Sequence, residues 1–138
     1  MTKAFRRREE EFDLVDAPFT ELDTGETGSG LLCSASTDAA YVERWGQRAF
    51  DEKYAAVGVT TIWGHGPDSG LRPCPTYLRH CVLATSKEGV DPRARESFLD
   101  ETFLIDRVTT VREYLASEAG AHVMEAVPPL SLVGRYSG

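Results

Sequence analysis

The feature that most constrains the fold is a strand-like run followed by a glycine-rich loop and a helix, within residues 57–89. Residues 57–63, VGVTTIW, are rich in β-branched and aromatic residues, which suit the pleated, half-buried surface of a strand. The residues that follow, GHGPDSG, supply turn chemistry that ends regular structure. Pro75 suits the first position of a helix, and Gly89 lies where a left-handed cap is common. This unit therefore predicts a strand, a loop and a helix in that order.

A single strand is not stable alone, so the predicted strand requires a partner. The candidates are residues 31–34, part of residues 13–22, the C-terminal tail or a second chain. The sequence therefore predicts an α+β fold that is mostly helical. It would contain about four helices, one central strand and a small sheet completed by a terminal segment or by another chain.

Two of the other helices are indicated by capping residues and by apolar residues at helical spacing. The first follows a cluster of cap candidates around Thr37 and carries Trp45 and Phe50 towards the core. Gly46 interrupts this helix, but the packing of its aromatic residues should outweigh the cost of the glycine. The second begins at Asp91, which is followed by a proline suited to the first turn.

The last predicted helix has the clearest start signal. Thr110 and Glu113 have the spacing of a capping box, and an apolar stripe continues over residues 111–126. His122 lies on this stripe and is interpreted as a core histidine. The tail that follows, residues 130–138, is apolar enough to pack on the core or to pair as an edge strand.

The N-terminal 30 residues differ in composition from the rest of the chain. They contain four basic and eight acidic residues, with isolated apolar residues and a glycine-rich end. Such a composition favours an acidic, partly disordered or extended arm over packed structure. We therefore predict an arm over residues 1–30 and a single globular domain over residues 31–138.

Length and charge limit the classes of function. At 138 residues the chain is long enough for one domain with a core. Its net charge of −7, without a basic stripe, is poorly suited to neutralising phosphates, so nucleic-acid binding is not expected. No apolar run approaches the roughly 20 residues that span a bilayer, and no secretory signal is recognisable. Three cysteines do not form a disulfide framework. The expected setting is the cytoplasm, and the arginine-rich composition is interpreted as bacterial.

The candidate catalytic residues are Cys74, His65 and His80. Cys74 precedes Pro75 and is predicted to be the N-cap of a helix, where the helix dipole favours a thiolate. A nucleophilic thiolate needs a base, and either histidine could serve. The competing interpretation of Cys74 is a structural cap residue.

Residues of the same stretch suggest two kinds of ligand site. Gly64 and Gly66 follow the predicted strand as in a nucleotide loop, which makes them candidate cofactor-binding residues. Their spacing does not match the dinucleotide fingerprint, and no cofactor is identified. Cys74, Cys81, His80 and His65 suggest a metal site, but about 10 Å of helix would separate Cys74 from Cys81 and the spacing matches no familiar zinc pattern, so no metal is predicted. A site of Cys74, His65 and Cys33 stays open.

Two classes of function are therefore carried forward. The first is a non-catalytic accessory, regulatory or assembly subunit that acts through contacts with another protein or with further copies of itself. The second is a small enzyme or redox protein that uses Cys74 with His65 or His80. The first class is favoured because no catalytic group has recognisable spacing.

Overall fold

The computed structural model describes residues 3–136 as an α+β fold, the class that the sequence predicts. Residues 1–2 of the predicted arm and residues 137–138 of the predicted tail lie outside the described residues. The helices and strands of the described chain are α1 (Lys3–Arg8), β1 (Asp13–Thr20), β2 (Thr27–Ser34), α2 (Asp38–Trp45), α3 (Gln47–Lys53), α4 (Pro75–Ala84), α5 (Pro92–Glu101) and α6 (Val111–Ala116). Short 3₁₀ turns occur at Ala55–Val57, Pro67–Ser69, Val123–Glu125 and Leu130–Leu132.

The chain forms two compact units, Met1–His65 and Gly66–Gly138, called here the N-terminal and the C-terminal unit. The boundary predicted between an arm and a domain that starts at residue 31 falls inside β2. Most of the predicted arm has regular structure, because it contains α1, β1 and the first half of β2.

β1 and β2 form an antiparallel hairpin whose register pairs Asp13 with Ser34 at its open end. Successive side chains point to opposite faces of the pair. On one face the ring of Phe19 lies across the opposite strand, where a Cβ atom on Gly28 would come within 2.5 Å of the ring. Because Gly28 has no Cβ atom, the Phe19 ring can lie against the backbone at this position. The same ring also reaches Gly30, where an added Cβ would be 3.7 Å away.

The turn of the hairpin closes with a β-bulge. The Gly25 N–H donates to the Glu21 carbonyl at 2.9 Å, and the Glu21 N–H donates to the Glu26 carbonyl at 2.8 Å. Gly25 has φ of 72°, a left-handed conformation that glycine adopts without strain. Two residues on one strand thus face a single residue on the other, and the bulge fixes the register of the hairpin.

α2 and α3 replace the single helix that the sequence predicts around Gly46. Thr37 is the N-cap of α2, as expected, but Gly46 has φ of 88° and ends that helix. Tyr41 and Phe50 are buried between the two helices, with relative exposures of 1% and 9%. Trp45, predicted to pack inward, is 42% exposed. The glycine therefore breaks the helix and does more than weaken it.

The prediction of a central strand over residues 57–63 is wrong. These residues begin in a 3₁₀ turn, and Gly58 with φ of 84° then reverses the chain. The backbone N–H groups of Ile62 and Trp63 both donate to the Asp38 carboxylate at 2.9 Å. Backbone donors that serve one carboxylate cannot serve a strand ladder, so the segment folds as an irregular loop.

The core of the C-terminal unit is built from α4, α5, α6 and the 3₁₀ turn Val123–Glu125. Each large apolar side chain buried there stabilises the fold by about 1.5–3 kcal/mol. The residues of this core are Leu78, Val82, Leu99, Val111, Tyr114 and Val123.

The predicted starts of the three helices in this unit are confirmed. Cys74 is the N-cap of α4. Asp91 is the N-cap of α5, and its carboxylate accepts the Arg93 N–H at 2.8 Å. α6 begins with the predicted capping box, because the Thr110 and Glu113 side chains each accept a backbone N–H of the other residue.

The last helix is shorter than its apolar stripe predicts. α6 ends at Ala116, and Ser117 is already extended with ψ of 162°. The chain then turns at Gly120, where a Cβ atom would lie 2.0 Å from the Tyr114 carbonyl oxygen. His122 is consequently not a core histidine: its side chain is 87% exposed and faces Glu125 at 3.3 Å.

The C-terminal tail forms the 3₁₀ turn Leu130–Leu132 and is not an edge strand within the described residues. Leu130 is 95% exposed. Tyr136 packs edge-on against the rings of Tyr77 and His80, with centroid distances of 6.0 and 5.6 Å.

Candidate functional site

Cys74, the predicted nucleophile, is exposed at the start of α4. Its side chain forms no capping hydrogen bond to the helix. Cys81, seven residues further along, is half-buried. Burial raises the pKa of the Cys81 thiol, and a hydrogen bond with Tyr77 offsets only part of this rise. Of the two thiols on this helix, Cys74 is the accessible one.

His80, one of the two candidate bases, lies on the same helix as Cys74 but not beside it. Six helical residues correspond to a rise of about 9 Å along the axis. The half-buried His80 ring instead contacts two aromatic rings, those of Tyr77 at 6.3 Å and Tyr136 at 5.6 Å. α4 therefore separates this histidine from the thiol that it was expected to activate.

His65 and the two loop glycines lie between a tight turn and a short 3₁₀ helix. The Gly64 N–H donates to the Thr61 hydroxyl at 2.6 Å, and a Cβ atom on Gly64 would lie 2.5 Å from the same oxygen. Gly64 is therefore required by a tight turn. Gly66 precedes the one-turn 3₁₀ helix Pro67–Ser69, which is too short to provide the N-terminus that binds a phosphate. His65 is exposed between these glycines.

The metal hypothesis gains no support. Cys33 and His65 belong to the N-terminal unit and Cys74 to the C-terminal unit. Within residues 3–136, no three histidine, cysteine, aspartate or glutamate side chains are grouped so that they could hold a metal ion.

The Asp38 carboxylate holds the loop of residues 61–63 through hydrogen bonds. The sequence suggested Asp38 only as a helix cap. Besides the two backbone N–H groups of Ile62 and Trp63, its carboxylate accepts the Thr61 hydroxyl. The hydrogen bond from Thr61 is the main cause that lowers the pKa of Asp38, and the two backbone donors add to it. Asp38 thus connects the first turn of α2 to the loop before His65.

A second group of polar residues anchors the segment between α1 and β1. The Lys53 ammonium group donates to the Glu11 carboxylate at 2.8 Å and also to the Glu10 carboxylate. The Tyr54 hydroxyl donates to Glu11, and the Tyr41 hydroxyl donates to Glu10 at 3.2 Å. Burial lowers the pKa of Lys53, but its hydrogen bonds to both carboxylates outweigh this and raise the pKa well above its ordinary value.

Both tryptophans bind the same two acidic residues through the backbone. The Trp45 indole N–H donates to the Glu10 carbonyl at 3.1 Å, and the Trp63 indole N–H donates to the Glu11 carbonyl at 3.0 Å. Among the described residues, no buried side-chain nitrogen or oxygen lacks a hydrogen-bond partner. These hydrogen bonds join residues 10 and 11 to α2, α3 and the loop that contains Trp63, which is a structural role.

The C-terminal unit contains an apolar cleft of about 400 Å³. Its size is in the range of small-molecule sites, but its polar groups are few and contain no carboxylate or histidine. The titratable side chains in its lining are Arg72, Tyr77 and Cys81, and the rest of the lining is mostly apolar. It is lined by Leu71, Arg72, Pro73, Tyr77, Leu78, Cys81, Phe98, Thr102, Phe103, Leu104, Ile105 and Val111.

The outer edges of the hairpin offer a different kind of site. In an antiparallel pair, residues whose backbone groups face the partner strand alternate with residues whose groups face away. The bulge at Glu21 and Glu26 sets this alternation. On β1 the outward groups belong to residues 14, 16, 18 and 20, and on β2 to residues 27, 29, 31 and 33. No backbone hydrogen bond outside the hairpin reaches the four β2 residues within the described chain.

The two edges differ in how well they are protected. β1 carries Asp13 and Asp16, and its outward position 18 is a proline, which has no N–H to offer. β2, TGSGLLCS, contains no charge and no proline. It also exposes apolar side chains, since Leu31 is 46% and Leu32 is 52% exposed. Charges, prolines and bulges are the devices that keep a free edge from pairing, and β2 has none along its length.

No protein-family model matches this chain, and neither the curated proteins nor the solved structures contain a significant match to its sequence or fold. Within residues 3–136, no helix is both long and apolar enough to cross a membrane.

Proposed function

We propose that this chain is a non-catalytic accessory or assembly subunit that contacts another protein chain through the outer edge of β2. The observation that carries the proposal is the unprotected edge of that strand. Its outward backbone donors and acceptors belong to residues 27, 29, 31 and 33, and no charge or proline interrupts them.

A hairpin of two strands is marginal by itself, and a third strand adds both hydrogen bonds and a wider apolar surface. Strand addition is also a common way for one protein to recognise another, because backbone groups supply affinity while the side chains supply specificity. Exposed Phe19, Leu31 and Leu32 would be covered by such an addition. The sequence raised completion by another chain for a strand over residues 57–63; the present proposal concerns a different sheet, the hairpin of β1 and β2.

The alternative, a small enzyme that uses Cys74, has a weaker basis. The thiol is accessible, but His80 lies about 9 Å further along the axis of α4. A catalytic base must lie within hydrogen-bond reach of the group that it activates. The enzyme hypothesis therefore needs a base that α4 does not supply.

The proposal is tested by photo-crosslinking in cells that produce the full chain. A benzophenone amino acid replaces Leu31, at the proposed edge, and in a matched variant it replaces Val57, which is 74% exposed in the same unit. We expect a discrete crosslinked species from position 31 and none from position 57.

A second change ties the crosslink to the edge. Proline at position 29 removes an outward N–H and leaves the hydrogen bonds between β1 and β2 in place. Combined with the crosslinker at position 31, Ser29→Pro should abolish the adduct. A chain that gives no adduct at position 31, or one that Ser29→Pro leaves unchanged, would overturn the assembly function.

A further inference from the structure

We infer that the strand that pairs with β2 is β2 of a second copy of this chain, which joins two hairpins into a four-stranded sheet. This inference rests on the proposed function and specifies its partner. The argument uses the symmetry of the outward backbone groups, the distribution of charge and the positions of the apolar side chains.

The outward groups of β2 are symmetric about Gly30. Antiparallel pairing of two identical strands is two-fold, so each pair of facing residues must also occur in reverse. Pairing residue 29 with residue 31 of the second copy, and 27 with 33, satisfies the outward groups of all four residues in both strands. In this register Gly30 faces Gly30 of the other copy on the two-fold axis. Any other register leaves some of these groups unpaired.

The same register brings exposed apolar side chains together. Leu32 of one copy faces Gly28 of the other, and that glycine is the residue covered by the ring of Phe19. Leu32, at 52% exposed, would therefore pack against Phe19 of the second copy, at 54% exposed. Since the contact is two-fold, it occurs twice, and it extends one apolar face across all four strands.

The charge distribution permits the pairing. The chain has a net charge of −7, so two copies repel each other in general. The acids of the hairpin strands, Asp13 and Asp16, lie on β1 and none lies on β2. In the four-stranded sheet, the two β1 strands that carry these acids are three strand spacings, about 14 Å, apart. That distance exceeds the Debye length of about 10 Å at 0.1 M salt, so the repulsion between these acids is largely screened.

The area of the contact sets the expected strength. One strand edge buries far less than the roughly 1,600 Å² of a standard interface, so the dimer should depend on concentration. We expect light scattering after size-exclusion chromatography to show a monomer in dilute wild-type protein and a growing dimer fraction as the concentration rises.

Two proline variants locate the interface. Ser29→Pro removes an outward donor from β2 and should give a monomer at all concentrations, while Asp16→Pro makes the same change on β1 and should leave the dimer intact. Circular dichroism is the control that tests whether both variants are folded. A dimer that survives Ser29→Pro and is lost in Asp16→Pro would place the interface on the wrong strand and overturn the inference.

A disulfide tests the register without depending on affinity. With Cys33, Cys74 and Cys81 replaced by serine, Gly30→Cys places two thiols opposite each other on the two-fold axis. A side chain at position 30 has room, because its Cβ would be 3.7 Å from the nearest Phe19 atom. Such directly opposed residues have Cα atoms about 4.5 Å apart, within disulfide range. Under mild oxidation Gly30→Cys should form covalent dimers much faster than Ser29→Cys, whose facing residue is Leu31.

The outcomes separate this inference from the proposed function. A wild-type chain that remains monomeric at high concentration, with equal crosslinking of Gly30→Cys and Ser29→Cys, overturns pairing with a second copy. If the photo-crosslink at position 31 still joins the chain to a different protein and is abolished by Ser29→Pro, the assembly function stands. If that crosslink is also absent, both proposals fail.

Discussion

The Asp38 carboxylate accepts the backbone N–H of Trp63 at 2.9 Å, which links two residues 25 positions apart in the chain. It accepts the N–H of Ile62 through the same oxygen. One side chain at the start of α2 thereby determines the path of the loop that the sequence predicts to be a strand.

Asp38→Ala should destabilise the N-terminal unit by about 1–3 kcal/mol, because hydrogen bonds to a charged acceptor contribute about that much and the N–H donors lose their partner. Urea unfolding followed by circular dichroism measures the change. Asp51→Ala is the matched control, since Asp51 is exposed on α3 and accepts a hydrogen bond from the Gln47 side chain. That variant should change stability by less than about 0.5 kcal/mol. Equal losses from both variants would contradict the role of Asp38.

The charge of Asp38 should be visible in the pH dependence of stability. The pKa of Asp38 is lowered in the folded state, with the hydrogen bond from Thr61 as the main cause. A carboxyl whose folded pKa lies below its unfolded value of 3.8 stabilises the fold above that pH, and the contribution is lost as the pH falls through the folded pKa. Asp38→Asn keeps an oxygen acceptor but removes the charge, so the free energy of unfolding should fall less below about pH 4 in this variant than in wild type. If the free energy of unfolding falls by the same amount below pH 4 in both proteins, the charge of Asp38 does not contribute to stability.

Gly120→Ala should lower the free energy of unfolding by about 1–3 kcal/mol, which is the usual penalty for overpacking. The added Cβ would lie 2.0 Å from the Tyr114 carbonyl oxygen, and backbone atoms cannot move aside as a flexible side chain can. Gly66→Ala is the control, because no atom lies within 4 Å of its Cβ position and its φ is −90°. The midpoint of thermal unfolding should fall for Gly120→Ala and stay near wild type for Gly66→Ala.

Leu99→Ala should destabilise the C-terminal unit by about 2–5 kcal/mol, since Leu99 is 3% exposed in the core and its truncation leaves a cavity. The same truncation at Leu130, which is 95% exposed, should be nearly neutral. Urea titrations of both variants provide the comparison. A small loss for Leu99→Ala would mean that α5 does not pack as described.

Cys74 should react with an alkylating reagent faster than Cys81 at neutral pH. Cys74 is exposed, while Cys81 is half-buried and its thiol has a raised pKa, so less of it is thiolate. Peptide mass mapping after brief labelling gives the two rates. Faster labelling at Cys81 would show that the start of α4 is not as open as described.

Local signals in the sequence predicted the helix starts well. Each cap depends on residues within one helical turn, so both partners of the interaction are visible in a short stretch of sequence. This holds for the capping box of Thr110 and Glu113 and for the cap at Asp91. The break at Gly46 was underestimated, because propensity gives a cost for glycine but not the φ of 88° that the chain adopts there.

Long-range interactions could not be predicted in this way. The β-branched run over residues 57–63 favours a strand. The backbone N–H groups of Ile62 and Trp63 instead donate to the Asp38 carboxylate, which lies more than 20 residues earlier in the chain and outside any local sequence pattern. The contacts of Lys53 with Glu10 and Glu11 span more than 40 residues and have no motif.

Residues 31–34 and part of residues 13–22 were named as candidate partners of the predicted central strand, but their pairing with each other as a hairpin was missed, because the acidic composition of residues 1–30 favoured an arm. A signal was present in the glycine-containing turn at Gly25, because a loop that contains glycine between two strands is typical of a bulged hairpin. The bulge determines which backbone groups of β2 face outward. These groups could therefore not be identified until the hairpin itself was known.

The placement of both indole rings has a practical consequence for optical spectroscopy. Trp45 and Trp63 are the only tryptophans of the sequence, and both donate to carbonyls of the N-terminal unit. Their fluorescence therefore reports the unfolding of Met1–His65 alone, while circular dichroism sees the helices of both units. Coincident curves from the two signals would establish one cooperative transition, and an emission change that precedes or follows the loss of helical signal would resolve two.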